Sequence, residues 1–95
     1  MSTILPFDGK HPRIAESVFV AETAAVIGDV VIGGQSSIWY GAALRGDVLG
    51  IRVGARTSIQ DNSVLHPSTD WTQTVVGDDG TVGHAVILHG CHVAD

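Results

Sequence analysis

The sequence predicts an all-β solenoid: a parallel β-helix wound from six-residue repeats. Three observations carry that prediction. An aliphatic residue recurs every six positions along most of the chain. The residue after it is often small. The apolar content is Val, Ile, Ala and Leu, beside twelve Gly and only two Trp, one Tyr and two Phe in 95 residues. That composition favours strands and turns over packed helices.

The aliphatic series runs Ile14, Val20, Val26, Ile32, Ile38, Leu44. The next step would fall on Gly50, so a three-residue insertion is placed there, and the register resumes at Val53, Ile59 and Leu65. A five-residue insertion around "DWTQT" follows, after which Val76, Val82 and Leu88 continue the series to an end at Ala94. One place later stand Ala15, Ala21, Gly33, Gly54, Gly77 and Gly83. Four places later stand mostly small or β-branched residues, including Val18, Ala24, Val30, Ser36, Ala42, Thr57, Ser63 and Val86. Each hexad is expected to form one flat face with its aliphatic residue inward, and the small residues to allow tight corners. Three faces close one coil, giving four to five coils stacked about 4.8 Å apart. Stacking buries the aliphatic column that a lone coil would leave open. A β-sandwich would show runs of period two instead.

The length fits a single domain spanning 1–95. A net charge of −5, with no Lys/Arg cluster, argues against nucleic acid and anionic membranes as partners. The single cysteine, Cys91, cannot build an intrachain disulfide framework and fits a reducing cytoplasm. "MSTILPFDGKHPRI" lacks the pattern of a signal peptide, and no apolar run reaches the roughly 18 residues of a membrane span.

The register brings distant histidines together. His66 follows Leu65 and His89 follows Leu88, three hexad starts apart, so the two should stack on adjacent coils of one face. Arg45, after Leu44, falls directly below His66. Two imidazoles so spaced can bind one metal ion at about 2.0–2.1 Å. His84 follows Val82 by two residues and lies near another corner, above Asp61 and too far away to complete the site on its own chain. A neighbouring copy can supply it, and threefold packing would then build three equivalent sites. Three imidazoles with an open position suit a catalytic zinc, although imidazole also accepts iron or cobalt. His11, His92 and Cys91 are expected to be surface or packing residues.

"FVAETAAVIGDVVIG", "SSIWYGAALRGD", "VGARTSIQDNSVLH" and "TVGHAVILHGC" together resemble the gamma-class carbonic anhydrase-like family over nearly the whole chain. The resemblance implies a left-handed coil and a homotrimer with zinc between subunits. His66 and His89 would come from one chain and His84 from the next. By motif, Arg45 and Asp47 in "LRGD" resemble an intersubunit salt-bridge pair, Gln60 resembles a residue that orients water at the zinc, and Asp61 resembles a partner of the arginine. The implied activity is reversible hydration of carbon dioxide to bicarbonate. A zinc hydrolase acting on thioesters, a catalytically weak or inactive trimeric scaffold fragment, and a hexapeptide acyltransferase are the alternatives.

The chain departs from the family pattern in three places. Where active members carry a glutamate-bearing loop, "PSTDWTQT" offers only Asp70 as a proton acceptor. Gly80 replaces a β-branched residue at its hexad position. The chain resembles the N-terminal half of a longer protein, without the C-terminal helix of its relatives. An open end of that kind is expected to be covered by self-association, for instance by stacked pairs of trimers.

Overall fold

The computed structural model describes residues 2–68 and 72–94, with Val48 described by its backbone alone. The strands are β1 (Thr3–Leu5), β2 (Arg13–Ile14), β3 (Phe19–Val20), β4 (Ala25–Ile32), β5 (Ser37–Ile38), β6 (Ala43–Val53), β7 (Ser58–Ile59), β8 (Val64–His66), β9 (Thr74–Val76), β10 (Thr81–Val82), β11 (Ile87–His89) and β12 (His92–Val93). Among the described residues there is no helix, and all strand pairing is parallel, apart from an isolated antiparallel bridge between Phe7 and Lys10. No helix there is long and apolar enough to cross a membrane.

Coil-on-coil pairing resolves the hexads into three inward columns. One holds Ile4, Val26, Leu44, Leu65 and Leu88. A second holds Ile14, Ile32, Val53, Val76 and Val93. The third holds Val20, Ile38, Ile59 and Val82. This is a parallel β-solenoid of about four turns. Val26, Leu44, Leu65, Ile38 and Ile59 are fully buried, whereas Ile4, with a neighbouring coil on one side only, is 45% exposed. The position four residues on forms further inward columns: Ala24, Val30, Ser36, Ala42, Thr57 and Ser63 are all buried.

The buried hydroxyls tie one coil to the next. Ser36 Oγ donates to the Gly54 carbonyl at 2.7 Å and accepts from Thr57 N at 3.0 Å. Thr57 Oγ1 donates to the Gly77 carbonyl at 2.6 Å, and Ser63 Oγ donates to that of Gly83 at 2.5 Å. Each satisfies a polar group that would otherwise be costly to bury.

The structure corrects two expectations. First, the corners do not turn on the small residue that follows each aliphatic one. They turn three places on, where Gln35, Arg56 and Asp79 stack in the left-handed region, as do Gly41, Asn62 and Ala85. The glycines one place on serve close approach instead: a Cβ on Gly33 would lie 2.7 Å from Ala55 N, and one on Gly54 2.7 Å from Asp78 N. Second, the last inward residue is Val93, not Ala94: Val93 pairs with Val76, only five residues after Leu88. Gly90, with φ of +58°, shortens that corner, and its N–H donates to the His66 carbonyl at 2.9 Å.

The length variation has one location. Steps from the second column to the third, and from the third to the first, are always six residues, as in Ile32 to Ile38 to Leu44. Steps from the first column to the second vary: Val26 to Ile32, Leu44 to Val53, Leu65 to Val76, Leu88 to Val93. Both expected insertions therefore emerge at the same corner. In β6 the extra residues fall between the Gly28–Gly46 and Val30–Ile51 pairs, which places Asp47 there.

Candidate metal centre

The face before the variable corner carries an outward column of Leu5, Ile27, Arg45, His66 and His89. Leu5 pairs with Ile27, Ile27 with Arg45, and His66 with His89, and Arg45 follows Leu44, which pairs with Leu65. The side chains alternate along each strand, so the residue after each inward aliphatic points out. The rings of His66 and His89 stack with centroids 5.1 Å apart and planes 16° apart.

His66 is the better-held member. Its Nε2 lies 3.0 Å from Asp47 Oδ1, and Asp47 Oδ2 lies 3.1 Å from Arg45 Nε. The side chains of His66 and Asp47 are 19% and 22% exposed, so water screens their contact only in part. The His66 backbone is braced as well. Its carbonyl accepts from Thr74 Oγ1 at 2.8 Å, and the same Oγ1 accepts from Gly90 N at 3.0 Å. Thr74 is fully buried and links the coils bearing the two histidines. The sequence reading missed it. Its one sequence signal is a threonine two places before an inward valine.

The other site residues lie elsewhere on the coil. His84 sits on the corner after β10, its Nδ1 3.5 Å from Asp61 Oδ1, with 71% of its side chain exposed. The backbone holds that corner: Ala85 N donates to the Asp61 carbonyl at 2.9 Å. Gln60 follows β7, where its Nε2 donates to Ser58 Oγ, which also accepts from Trp39 Nε1 at 3.1 Å. Within the chain, Arg45 pairs with Asp47, and Asp61 faces His84. Asp70, the acid of the second insertion, lies outside the described residues, as does Trp71.

Among the described residues no three His, Cys, Asp or Glu side chains converge on one point that could hold a metal. The donor chemistry nevertheless fits a shared site. One surface presents two near-parallel imidazoles on adjacent coils, and another presents a third, largely exposed imidazole whose Nδ1 faces a carboxylate. Carboxylate-backed histidines are the usual second layer of metal sites.

Parallel six-residue faces, aliphatic inside and carrying stacked histidines outside, define a hexapeptide-repeat β-helix protein. No family model matches the chain. It is 49% identical to "Gamma carbonic anhydrase 2, mitochondrial" of Arabidopsis thaliana, over 98% of this chain and 35% of that protein. It is 48% identical to the "Carbonic anhydrase" of Geobacillus kaustophilus, over 95% of this chain and 49% of that protein. Among solved structures, a hexapeptide transferase family protein from Anaplasma phagocytophilum superposes with a TM-score of 0.89 at 47% identity, covering 95% of this chain and 52% of the other. This chain belongs to the gamma-class carbonic anhydrase-like family, and its coil fits the left-handed form of its hexapeptide-repeat neighbours. It spans about half the length, or less, of these relatives.

Proposed function

We propose that the protein hydrates carbon dioxide reversibly to bicarbonate, using zinc held between subunits of a homotrimer. The stacked His66–His89 pair is the observation that carries this reading, and the names of the relatives support it. His66 and His89 of one copy and His84 of the next would hold the metal. Zinc so held would supply Lewis acidity that brings the ionisation of a water to near neutral pH. Gln60, whose amide N–H is taken by Ser58, keeps its carbonyl oxygen as an acceptor to orient that water. Arg45 and Asp47 lie at the foot of the histidine column, where the guanidinium balances charge on a bound bicarbonate. Asp70 or buffer accepts the proton. The lone cysteine favours a cytoplasmic setting.

Native mass spectrometry of the protein as purified, followed by a stopped-flow hydration assay, tests this reading. A trimer with three metal ions and hydration lost in His89→Ala is the expected result. A metal-loaded trimer inactive across pH overturns the hydration step. Turnover of activated thioesters by that trimer would then move the activity to the hydrolase alternative. A metal-free monomer overturns the shared site.

A further inference from the structure

We propose that Asp29 and Arg52 are positioning residues: together they close the bulge of β6 that carries Asp47, and so hold that carboxylate against Arg45. This rests on the reading above in which Arg45 meets bicarbonate. The β4–β6 ladder shifts register between the Gly28–Gly46 and Val30–Ile51 pairs, so the single residue Asp29 opposes residues 47–50. Extra residues in a bulge leave the ladder, and they keep a fixed path only where something else holds them. Here both ends of the bulge rest on Asp29. A Cβ on Gly46 would lie 2.5 Å from the Asp29 carbonyl oxygen. One on Gly50 would lie 2.9 Å from Asp29 Oδ2 and 2.5 Å from Arg52 Nη1.

Arg52 fastens the closed bulge. Its Nη1 lies 3.1 Å from Asp29 Oδ1 on the coil below, and it donates to the Ile51 carbonyl at 3.0 Å and to the Asp29 carbonyl at 3.4 Å. One guanidinium nitrogen thus ties the carboxylate to the backbone of both coils. The two side chains are 34% and 21% exposed, so water screens their attraction only in part. Neither belongs to the histidine column, and their influence runs along the chain. Arg45 leads into the bulge, and Asp47, two residues on, brings its Oδ2 back to 3.1 Å from Arg45 Nε. A bulge opened at its base would let Asp47 swing away. The Arg45 side chain, 56% exposed, would then lose its fixed direction.

The test compares the full chain as wild type, Arg52→Ala, Arg52→Lys, Asp29→Asn, Asp47→Ala and the Arg52→Ala/Asp47→Ala double variant. Nitrogen-15 NMR of the Arg45 Nε–H group and stopped-flow dehydration of bicarbonate are the readouts. Arg52→Ala should move the Arg45 signal in the same direction as Asp47→Ala. It should also raise KM for bicarbonate several-fold while kcat changes little. Asp29→Asn should show the same signature. Arg52→Lys keeps the charge but not the planar fork of donors, and should fall between Arg52→Ala and wild type. These two milder variants decide the question if Arg52→Ala does not fold. In the double variant Arg52→Ala should add nothing to Asp47→Ala, because it acts through that carboxylate. Arg56→Ala, which breaks an ion pair at a different corner, should leave both readouts in place. An Arg45 signal and KM unmoved in the Arg52 and Asp29 variants, whatever their melting temperatures, overturn the positioning role. So do effects that add in full in the double variant. A wild type without turnover overturns the hydration reading alone, and the Arg45 signal then decides the positioning role.

Discussion

Glycine marks the places where single atoms decide this fold. At Gly46 an added Cβ would meet Asp29 O at 2.5 Å, and at Gly28 it would meet Gly46 O. Gly80 is the reverse case, where a Cβ would find Val76 Cγ1 at 3.5 Å and Thr57 Cγ2 at 3.8 Å, ordinary packing distances. Gly80→Ala should therefore stabilise the chain by about 0.4–1 kcal/mol, chiefly by restricting the unfolded state. Gly46→Ala should destabilise it, and urea unfolding of both variants measures the contrast. At the corner below, Arg56 Nε lies 2.7 Å from Asp79 Oδ1. That hydrogen bond first, and the charge of Arg56 with it, hold the Asp79 carboxyl below its usual value of 3.8. A depressed carboxylate pKa adds stability above the unfolded value, and this is lost as pH falls through the folded value. Arg56→Ala should return Asp79 to the ordinary range in an NMR titration and remove that acid-limb dependence.

Strands here are only two or three residues long on most faces, so each coil depends on its neighbours more than on its own propensity. Leu65 is fully buried in the middle of its column. Leu65→Ala should cost about 2–5 kcal/mol, for lost burial and for a cavity that stiff neighbouring coils cannot fill. Thr74 tests the link between packing and site. Thr74→Val keeps the volume but removes the hydroxyl shared by the His66 carbonyl and Gly90 N, which stay bonded directly to each other, so the cost should be about 0.5–1.5 kcal/mol. The His66 and His89 ring signals should shift together in that variant, while those of His84 stay in place.

At the scale of the whole molecule, irregularity is confined to one corner and chemistry sits beside it. Two corners repeat strictly, which keeps three columns in register. The third absorbs the insertions and delivers Asp47 to the histidine column. Within one chain His84 does not join His66 and His89, so a site using all three links metal binding to assembly. Removing metal with a chelator should then lower both the melting temperature and the trimer fraction in concert. Restoring zinc to about one hundred times its dissociation constant should recover about 2.7 kcal/mol per site. Sedimentation and thermal unfolding, followed across a zinc titration, check that linkage.

The coil was legible in the sequence because its physics is periodic. An inward aliphatic every six residues fixes three faces, and counting faces places His89 on His66 and Arg45 beneath them, which the strand pairing reproduces. Motif resemblance marked Arg45 and Asp47 as a salt-bridge pair between subunits, and within the single chain the two side chains also lie 3.1 Å apart. What the count cannot carry is any contact made across a break in the period. The Asp47–His66 bond depends on how the extra residues of β6 bulge, and Thr74 braces His66 from across the second insertion. The turning residues were also misplaced, because Gln35, Arg56, Asn62 and Asp79 adopt left-handed backbone under the hold of stacked coils, and not from the freedom of glycine. The sequence by itself determined the repeat, the columns and the histidine stack, since these follow from burial at a fixed spacing. The count also set His84 above Asp61, but only the tertiary structure decided that Asp47 faces His66, since that depends on the path of the chain where the spacing fails.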